Sequence, residues 1–270
     1  MMEIDKLGII AGEGNFPIIF SREAKRENIP VVALAINGLT SSQLSNYVDK
    51  IYWLNLSEIG KLIKLFKEEG IKFAVMVGKV PQSIILHYDQ FDEMSREILK
   101  RLDNKQANSI LMRVIEEFAK ENITFIDTSL FIKHMFASKG LITPNRPLTE
   151  SEEKDIQFGY ELAKVIAGVD IGQTIVVKNQ IVVAVEAIEG TDMTILRGGK
   201  LGGDGTVVIK VSKPKQDKRF DLPIVGLDTI KTMRSAKASC IAISAGETLL
   251  FDKEECVNLA EESNICILGI

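Results

Sequence analysis

Between residues 7 and 80 one pattern recurs: a short, almost unbroken apolar run, then an amphipathic segment, then another run, as in LGIIAG (7–12), VVALAI (31–36), IYWLN (51–55) and FAVMVGKV (73–80). Strands without polar alternation are buried on both faces, which points to a parallel sheet covered by helices on either side. Within residues 57–69, Ile59, Leu62, Ile63 and Phe66 keep helical spacing, with Ser57 as the expected N-cap and Gly70 just past the C-terminus. The first run ends in Gly12-Glu13-Gly14-Asn15, and Pro17 suits the opening turn of a helix running to about Glu27. Strand, glycine turn and helix is the opening of a nucleotide-binding α/β unit, in which Gly12, Gly14 and Asn15 let a phosphate approach backbone donors. The third glycine of GxGxxG is replaced by Pro17, so a tight turn without a ligand is an equal reading. Gly78 and Lys79 follow the fourth run at the sheet's carboxyl edge, where Lys79 either reaches a phosphate or is simply solvated. His87, beside Tyr88, reads as a packed or surface ring rather than a base.

The chain has 270 residues, enough for one large or two ordinary domains. Its 33 Lys and Arg against 37 Asp and Glu give a net charge of −4, which excludes a general nucleic-acid surface and makes any phosphate site local. Cys240, Cys256 and Cys266 lack metal-type spacing and are expected as small buried residues. The acidic start, MMEIDKLGIIAGEG, has no basic leader and no run reaches membrane-spanning length, so a cytoplasmic protein is expected.

Helical patterns at 94–102 and 107–122 and a strand at 123–127 complete an N-terminal domain over 1–137. Residues 138–150 have the glycine, proline and polar content of a linker, and 151–270 form a second α/β domain. Thr149 or Ser151 is positioned to cap the next helix through Glu152 and Glu153. Two β-rich runs then meet at Lys178–Gln180 as a hairpin. Glu189 and Asp192 bracket a turn into the helix TDMTILRGGK (191–200) and either converge on a cation or cap it, and GGKLGGDG (198–205) either cradles an anion or, as the favoured reading, bends sharply. After the strand TVVIKV (206–211) comes the most site-like stretch, Lys213 to Thr229. There Asp217 and Asp221 are placed to hold a divalent cation or poise a water, and Lys213, Lys215, Lys218 and Arg219 to neutralise a polyanion, while Pro214 and Pro223 stiffen the loop. A solvated charged turn is the plain alternative.

Four words in order, GIIAGEGNFP (8–17), VDIGQTIVV (169–177), AVEAIEGTD (184–192) and PKQDKRFDLPIVGLDT (214–229), resemble the LpxI family of UDP-2,3-diacylglucosamine pyrophosphatases, with similarity running from residue 7 to 270. The resemblance implies metal-dependent hydrolysis of UDP-2,3-diacylglucosamine to UMP and 2,3-diacylglucosamine 1-phosphate (lipid X) in lipid A biosynthesis. It also implies a Rossmann-like N-terminal domain and a distinct mixed α/β C-terminal domain, with the ligand in a cleft between them. The essential aspartate of the family's DLP word falls on Asp221 and the EGTD word on Glu189, Gly190, Thr191 and Asp192. Asp221 is therefore the expected catalytic residue, with Asp217 second, and Asp221, Asp192 and Glu189 the expected ligands of Mg²⁺ or Mn²⁺. Expected substrate contacts are Gly12, Gly14, Asn15, Lys79, Glu189, Gly190, Thr191, Lys213, Gln216, Arg219 and Thr229. One departure is DNKQAN at 103–108, where relatives often carry Gly-Asp-Asp; Asp103 would have to supply that contribution.

A diacylated substrate implies weak peripheral contact with the inner membrane, with Met135, Phe136 and Ile142 either lining an entry or packing internally, and a homodimer is a further candidate. Two other readings compete. A nicotinamide-dependent oxidoreductase lacks its ribose-binding acid at Ala35–Gly38, and a non-catalytic nucleotide-sugar or lipid-binding module needs no ordered carboxylates.

Overall fold

The computed structural model describes residues 4–80, 92–100, 102, 107–214 and 216–270. The chain folds as two compact units, Met1–Lys133 with Lys218–Phe220, and His134–Asp217 with Asp221–Ile270. His87, Asp103 and Lys215, raised as candidates above, lie outside the described residues.

In the first unit the elements are β1 (Leu7–Ala11), α1 (Phe16–Arg26), β2 (Val31–Ile36), β3 (Lys50–Leu54), α2 (Ile59–Glu68), β4 (Phe73–Val77), α3 (Glu93–Lys100), α4 (Ala107–Lys120) and β5 (Thr124–Phe125). Its sheet is parallel at every pairing, in the order β3-β2-β1-β4-β5, so the strand order reverses beside β1 as in doubly wound folds. Phe66, Phe118 and Phe125 meet edge to face in the core, and Phe220 packs partly buried against the same cluster. Thr128 ties that returning segment down, donating from its amide (3.0 Å) and its hydroxyl (2.6 Å) to the Lys218 carbonyl. The stretch 213–229, read above as one unit, is therefore divided, because Phe220 buries its ring in the first core. Two expected details of α2 resolve differently: Gly70 sits just past the C-terminus with φ +69°, whereas Glu58, not Ser57, occupies the N-cap position. Ser57 instead offers its carbonyl to Asp92 N at 2.8 Å and Ser95 Oγ at 3.1 Å, tying α2 to the start of α3.

The second unit contains β6 (Gly140–Leu141), α5 (Glu150–Gly168), β7 (Thr174–Lys178), β8 (Ile181–Val185), α6 (Thr191–Gly202), β9 (Val207–Lys210), β10 (Ile224–Val225), α7 (Leu227–Ser235), β11 (Cys240–Ile243), β12 (Leu249–Leu250), α8 (Lys253–Glu262) and β13 (Cys266–Gly269). Six strands form a mixed sheet, β6-β13-β11-β9-β7-β8, parallel through β13, β11 and β9 and antiparallel at β6, β7 and β8; β10 and β12 pair separately. Along β9, Val207 and Ile209 face one buried cluster with Ile156, Ala163 and Ala167 of α5, while Val208 faces another with Ile195, Met233 and Ala260 of α6, α7 and α8. Both faces are thus covered, as the unbroken apolar strands require.

Local chemistry accounts for the connections. Asn179 and Gln180 both have positive φ, the backbone of a two-residue hairpin turn, and the buried Asp155 carboxylate accepts from both amides, at 3.1 and 2.6 Å. Thr149 caps α5 in a reciprocal capping box with Glu152. Residues 138–150, read as a linker, belong to this unit and supply β6. The glycine-rich bend expected at 198–205 is corrected: Gly198, Gly199 and Gly202 lie in α6. A Cβ on Gly198 would stand 2.6 Å from Val176 Cγ1 and one on Gly199 2.4 Å from the Ala236 carbonyl, so these glycines serve close packing against β7 and the end of α7. Ile142 is core, donating its amide to Ile267 O at 2.9 Å, and so packs internally, while Phe136 pairs its backbone with Leu249 and is half-buried. Cys240, Cys256 and Cys266 are free and buried, and burial pushes the Cys256 thiol up to about 12.

Candidate functional site

In the second unit the chain leaves β9 through Val211, whose amide donates to the Gln173 carbonyl at 2.9 Å, so residues 173 and 211 prolong the β7–β9 pairing. Two residues on, Lys213 places its ammonium 2.6 Å from Asp170 Oδ1 and 2.7 Å from Asp221 Oδ2. Asp221 Oδ1 accepts from Gln173 Nε2 at 3.2 Å, so both carboxylate oxygens are engaged from different sides. Gln216 closes the loop beneath, its Oε1 accepting from Lys213 N at 2.6 Å and its Nε2 donating to the Asp221 carbonyl. The Asp221 amide donates to the Asp217 carbonyl at 3.0 Å. Burial would lower the Lys213 ammonium, but the Asp221 and Asp170 carboxylates outweigh it and hold the group above its ordinary value.

A second polar group adjoins this one through residue 173. Glu186 Oε2 accepts from the Gln173 amide at 3.2 Å, and its Oε1 accepts from the Thr191 hydroxyl at 2.9 Å. Thr191 Oγ1 in turn accepts from Lys210 Nζ at 2.8 Å, and Thr174 Oγ1 lies 3.4 Å from the same ammonium. Lys210, only 6% exposed, would be costly without these partners. Burial pushes the Glu186 carboxyl up, but Lys210 and the Thr174, Thr191 and Gln173 hydrogen bonds hold it below the ordinary carboxylate range. Glycines let the chain close here: a Cβ on Gly172 would lie 2.1 Å from the Glu186 carbonyl, and Gly190, with φ +81°, turns the backbone into α6 with open space on its Cβ side. The buried Lys210 and the half-buried Lys213 thus lie among carboxylates near the N-terminus of α6, an arrangement suited to charge developing on phosphate oxygens.

The expected residues fall out as follows. Asp221, Lys213 and Gln216 join one cluster, and Thr191 joins the adjoining one. Asp217 contributes its carbonyl, and Thr229 is buried in the first turn of α7. Arg219 belongs to the first unit, its Nη2 2.9 Å from Met112 Sδ. Glu189 is held by Arg197, by the Thr194 hydroxyl at 3.2 Å and by the Ala187 amide at 3.2 Å. Asp192, in the first turn of α6, keeps Oδ1 buried with no hydrogen bond among the described residues. As a metal set, Asp221, Asp192 and Glu189 do not fit: two of the three already serve cationic side chains, and among the described residues no group of three His, Cys, Asp or Glu could hold an ion.

In the first unit Gly12, Gly14, Asn15 and Lys79 gather at the carboxyl ends of β1 and β4. The Glu13 and Lys79 backbones pair at 2.8 and 3.0 Å, and a Cβ on Gly12 would lie 2.4 Å from the Lys79 carbonyl. Gly12 is thus required by the neighbouring loop itself, whereas Gly14, with φ +92°, has nothing within 4 Å of a Cβ. Asn15 sits at the N-cap of α1 without a side-chain capping bond.

Sequence reasoning passed over Asp170 and Gln173 as individuals and did not assign Glu186 or Lys210 a role. The signals were present: VDIGQTIVV contains both of the first two, and Lys210 is a charge at the end of the apolar strand VVIK. A lysine buried at a strand end demands an acidic or hydroxyl partner.

Two family models account for nearly the whole chain, the LpxI N-terminal domain over residues 6–135 and the LpxI C-terminal domain over 138–268. A characterised relative from Caulobacter vibrioides (strain ATCC 19089 / CIP 103742 / CB 15), UDP-2,3-diacylglucosamine pyrophosphatase LpxI, is 28% identical over 275 residues, spanning 98% of this chain and 97% of the relative. Solved structures with partial likeness include the biotin carboxylase domain of a thermophilic 2-oxoglutarate carboxylase bound to bicarbonate (17% identity, TM-score 0.24, 27% of this chain and 18% of that one). Another is the biotin carboxylase subunit of pyruvate carboxylase (11% identity, TM-score 0.28, 74% and 42%). At such TM-scores they carry no argument.

Proposed function

The chain belongs to the LpxI family, and from that premise we propose that it is an enzyme hydrolysing the pyrophosphate of UDP-2,3-diacylglucosamine to UMP and 2,3-diacylglucosamine 1-phosphate. The observation that carries the reading is the setting of Asp221, whose two oxygens are engaged by Lys213 and Gln173 in a cluster of partly buried charge. Asp221 orients the attacking water and takes its proton as the water oxygen bonds to one phosphorus and the bond from that phosphorus to the bridging oxygen breaks. The leaving phosphate gains negative charge, which Lys210, Lys213 and the N-terminus of α6 are placed to offset within the second unit. Asp217 is the weaker alternative for the catalytic role. Gly14, Asn15, Lys79, Gly190, Thr191 and Arg219 are carried forward as substrate contacts.

Dependence on Mg²⁺, or Mn²⁺ in its place, is part of the proposal. Magnesium commonly retains waters and binds through one or two carboxylates plus substrate phosphates, so it does not require a protein cage of three ligands. When bound it would supply neutralisation of phosphate charge. Peripheral approach to the lipid from the cytoplasmic side is part of the same proposal, motivated by the diacylated substrate; no helix among the described residues is long and apolar enough to cross a membrane.

The test is UMP release from UDP-2,3-diacylglucosamine with Mg²⁺, with Mn²⁺ and with EDTA. We expect turnover that EDTA removes and either metal restores. Tight binding without UMP in all three arms would instead make the protein a nucleotide-sugar or lipid-binding module.

A further inference from the structure

We propose that Gln173 and Asp170 are positioning residues for Asp221, Gln173 acting directly on Oδ1 and Asp170 acting on Oδ2 through Lys213. This rests on the assignment of Asp221 above and adds the two residues that fix its direction and charge.

A carboxylate on a loop has free torsions and two equivalent oxygens, so a productive orientation must be imposed from outside. Lys213 alone could not do so, because an ammonium is a compact charge on a flexible stem. Asp170 removes that freedom. It stands just past the end of α5 with φ +58°, a backbone that Asp tolerates better than most residues, and it grips the same ammonium at 2.6 Å. Lys213 is thereby fixed between two carboxylates, its amide anchored by Gln216.

Gln173 is equally constrained. Its carbonyl accepts from Val211 and its amide is taken by Glu186, so its backbone is pinned on both sides. Only the side chain is left to choose a partner, and it turns Nε2 to Asp221 at 3.2 Å while Oε1 stays buried with no hydrogen bond among the described residues. An amide that leaves its acceptor unmatched to keep its donor on a carboxylate is spending stability on that one contact. The charged groups tied to Asp221 are Lys213 directly, Asp170 beyond it, and Glu186 through the backbone of Gln173.

Packing and positioning roles predict opposite orders for two substitutions. Gln173→Glu is nearly isosteric but sets a carboxylate against a carboxylate; Gln173→Leu loses the donor without adding charge. We expect Gln173→Leu to lower kcat about tenfold with KM within about twofold, and Gln173→Glu to fall further still, both keeping a thermal midpoint close to the parent. Asp170→Asn should lower kcat in the same way but less, since Lys213 remains. Adding Gln173→Leu to Asp221→Asn should remove nothing more, as expected for residues acting as one unit. If Gln173→Glu is as active as the parent, or Gln173→Leu is the worse of the two, Gln173 is only packing and the proposal fails. If instead Asp221→Asn itself keeps parental turnover, the catalytic assignment of Asp221 is what has failed.

Discussion

The second unit contains two ion pairs, one buried and one half-buried, that look alike in chemistry and differ in completeness. Arg146 and Glu152 face each other through two bonds, at 2.7 and 2.5 Å, and the guanidinium also donates to the carbonyls of Asn264, Pro147 and Ser239. Glu152 further accepts from the Thr149 amide at 2.9 Å as half of the capping box. Their side chains are 9% and 5% exposed. Lys213 and Asp221, at 14% and 22%, are more exposed and leave the neighbouring Gln173 Oε1 with no hydrogen bond among the described residues. A saturated pair can only hold structure. A pair with unused capacity beside it can meet a ligand, and we take that difference as the physical mark of the site.

The sharpest way to break the comparison is to cut each pair once. Asp221→Ala should lower kcat by roughly 10³-fold or more while the folded fraction, followed by circular dichroism, is unchanged. Retained turnover would make the two pairs equivalent after all. Arg146→Met should do the reverse, leaving an unpaired buried carboxylate at a cost of about 3–5 kcal/mol in urea unfolding while turnover per folded molecule stays near the parent's. That loss would thin the population of folded enzyme without touching its chemistry.

Acidity gives a smaller and more graded separation. For Glu152, burial raises the carboxyl and the bonds from Arg146, Ser239 and Thr149 overcome it, so its folded value lies below the ordinary one. Such a group contributes stability that is present above its unfolded value, about 4.3, and is lost as pH falls through the lower folded value. Glu186 behaves the same way. Lys213 has the opposite sign: raised on folding, it contributes fully below about 10.4 and loses that contribution as pH climbs through its higher folded value. Urea midpoints measured across pH should therefore show an acid limb that flattens in Glu152→Gln and an alkaline limb that flattens in Lys213→Met. An unchanged acid limb in Glu152→Gln would deny the pair its structural role.

The ease of reading these features from sequence followed their range along the chain. The β7–β8 turn, the capping box at Thr149 and Glu152, and the parallel strands of the first sheet depend on neighbours or on simple periodicity, and each was visible in composition. The helix over 191–200 was legible, but the bend read from 198 begins only after Gly202, because Gly198, Gly199 and Gly202 answer to Val176, Ala236 and Thr206, contacts that no local pattern announces. The same holds for the site. Asp221 stood out within a charged loop, but its partners come from residues 170 and 173, separated from it by three strands and a helix. Phe220 is the clearest case: one buried aromatic draws Lys218–Phe220 into the other unit, in the middle of a stretch that reads as continuous.

The smallest effect is expected two residues from Glu152 on the same helix. Lys154 and Glu150 pair at 2.6 Å, a separation matching the buried pairs, but their side chains are 57% and 82% exposed. In water the attraction of such a pair is nearly cancelled by the entropy of holding two long side chains and by screening, leaving about 0.3–0.5 kcal/mol for an i,i+4 helix pair. Lys154→Met should thus move the urea midpoint by about a tenth of the Arg146→Met shift and leave the pH dependence untouched; a shift comparable to Arg146→Met would mean that distance, not burial and completeness, sets what an ion pair contributes here.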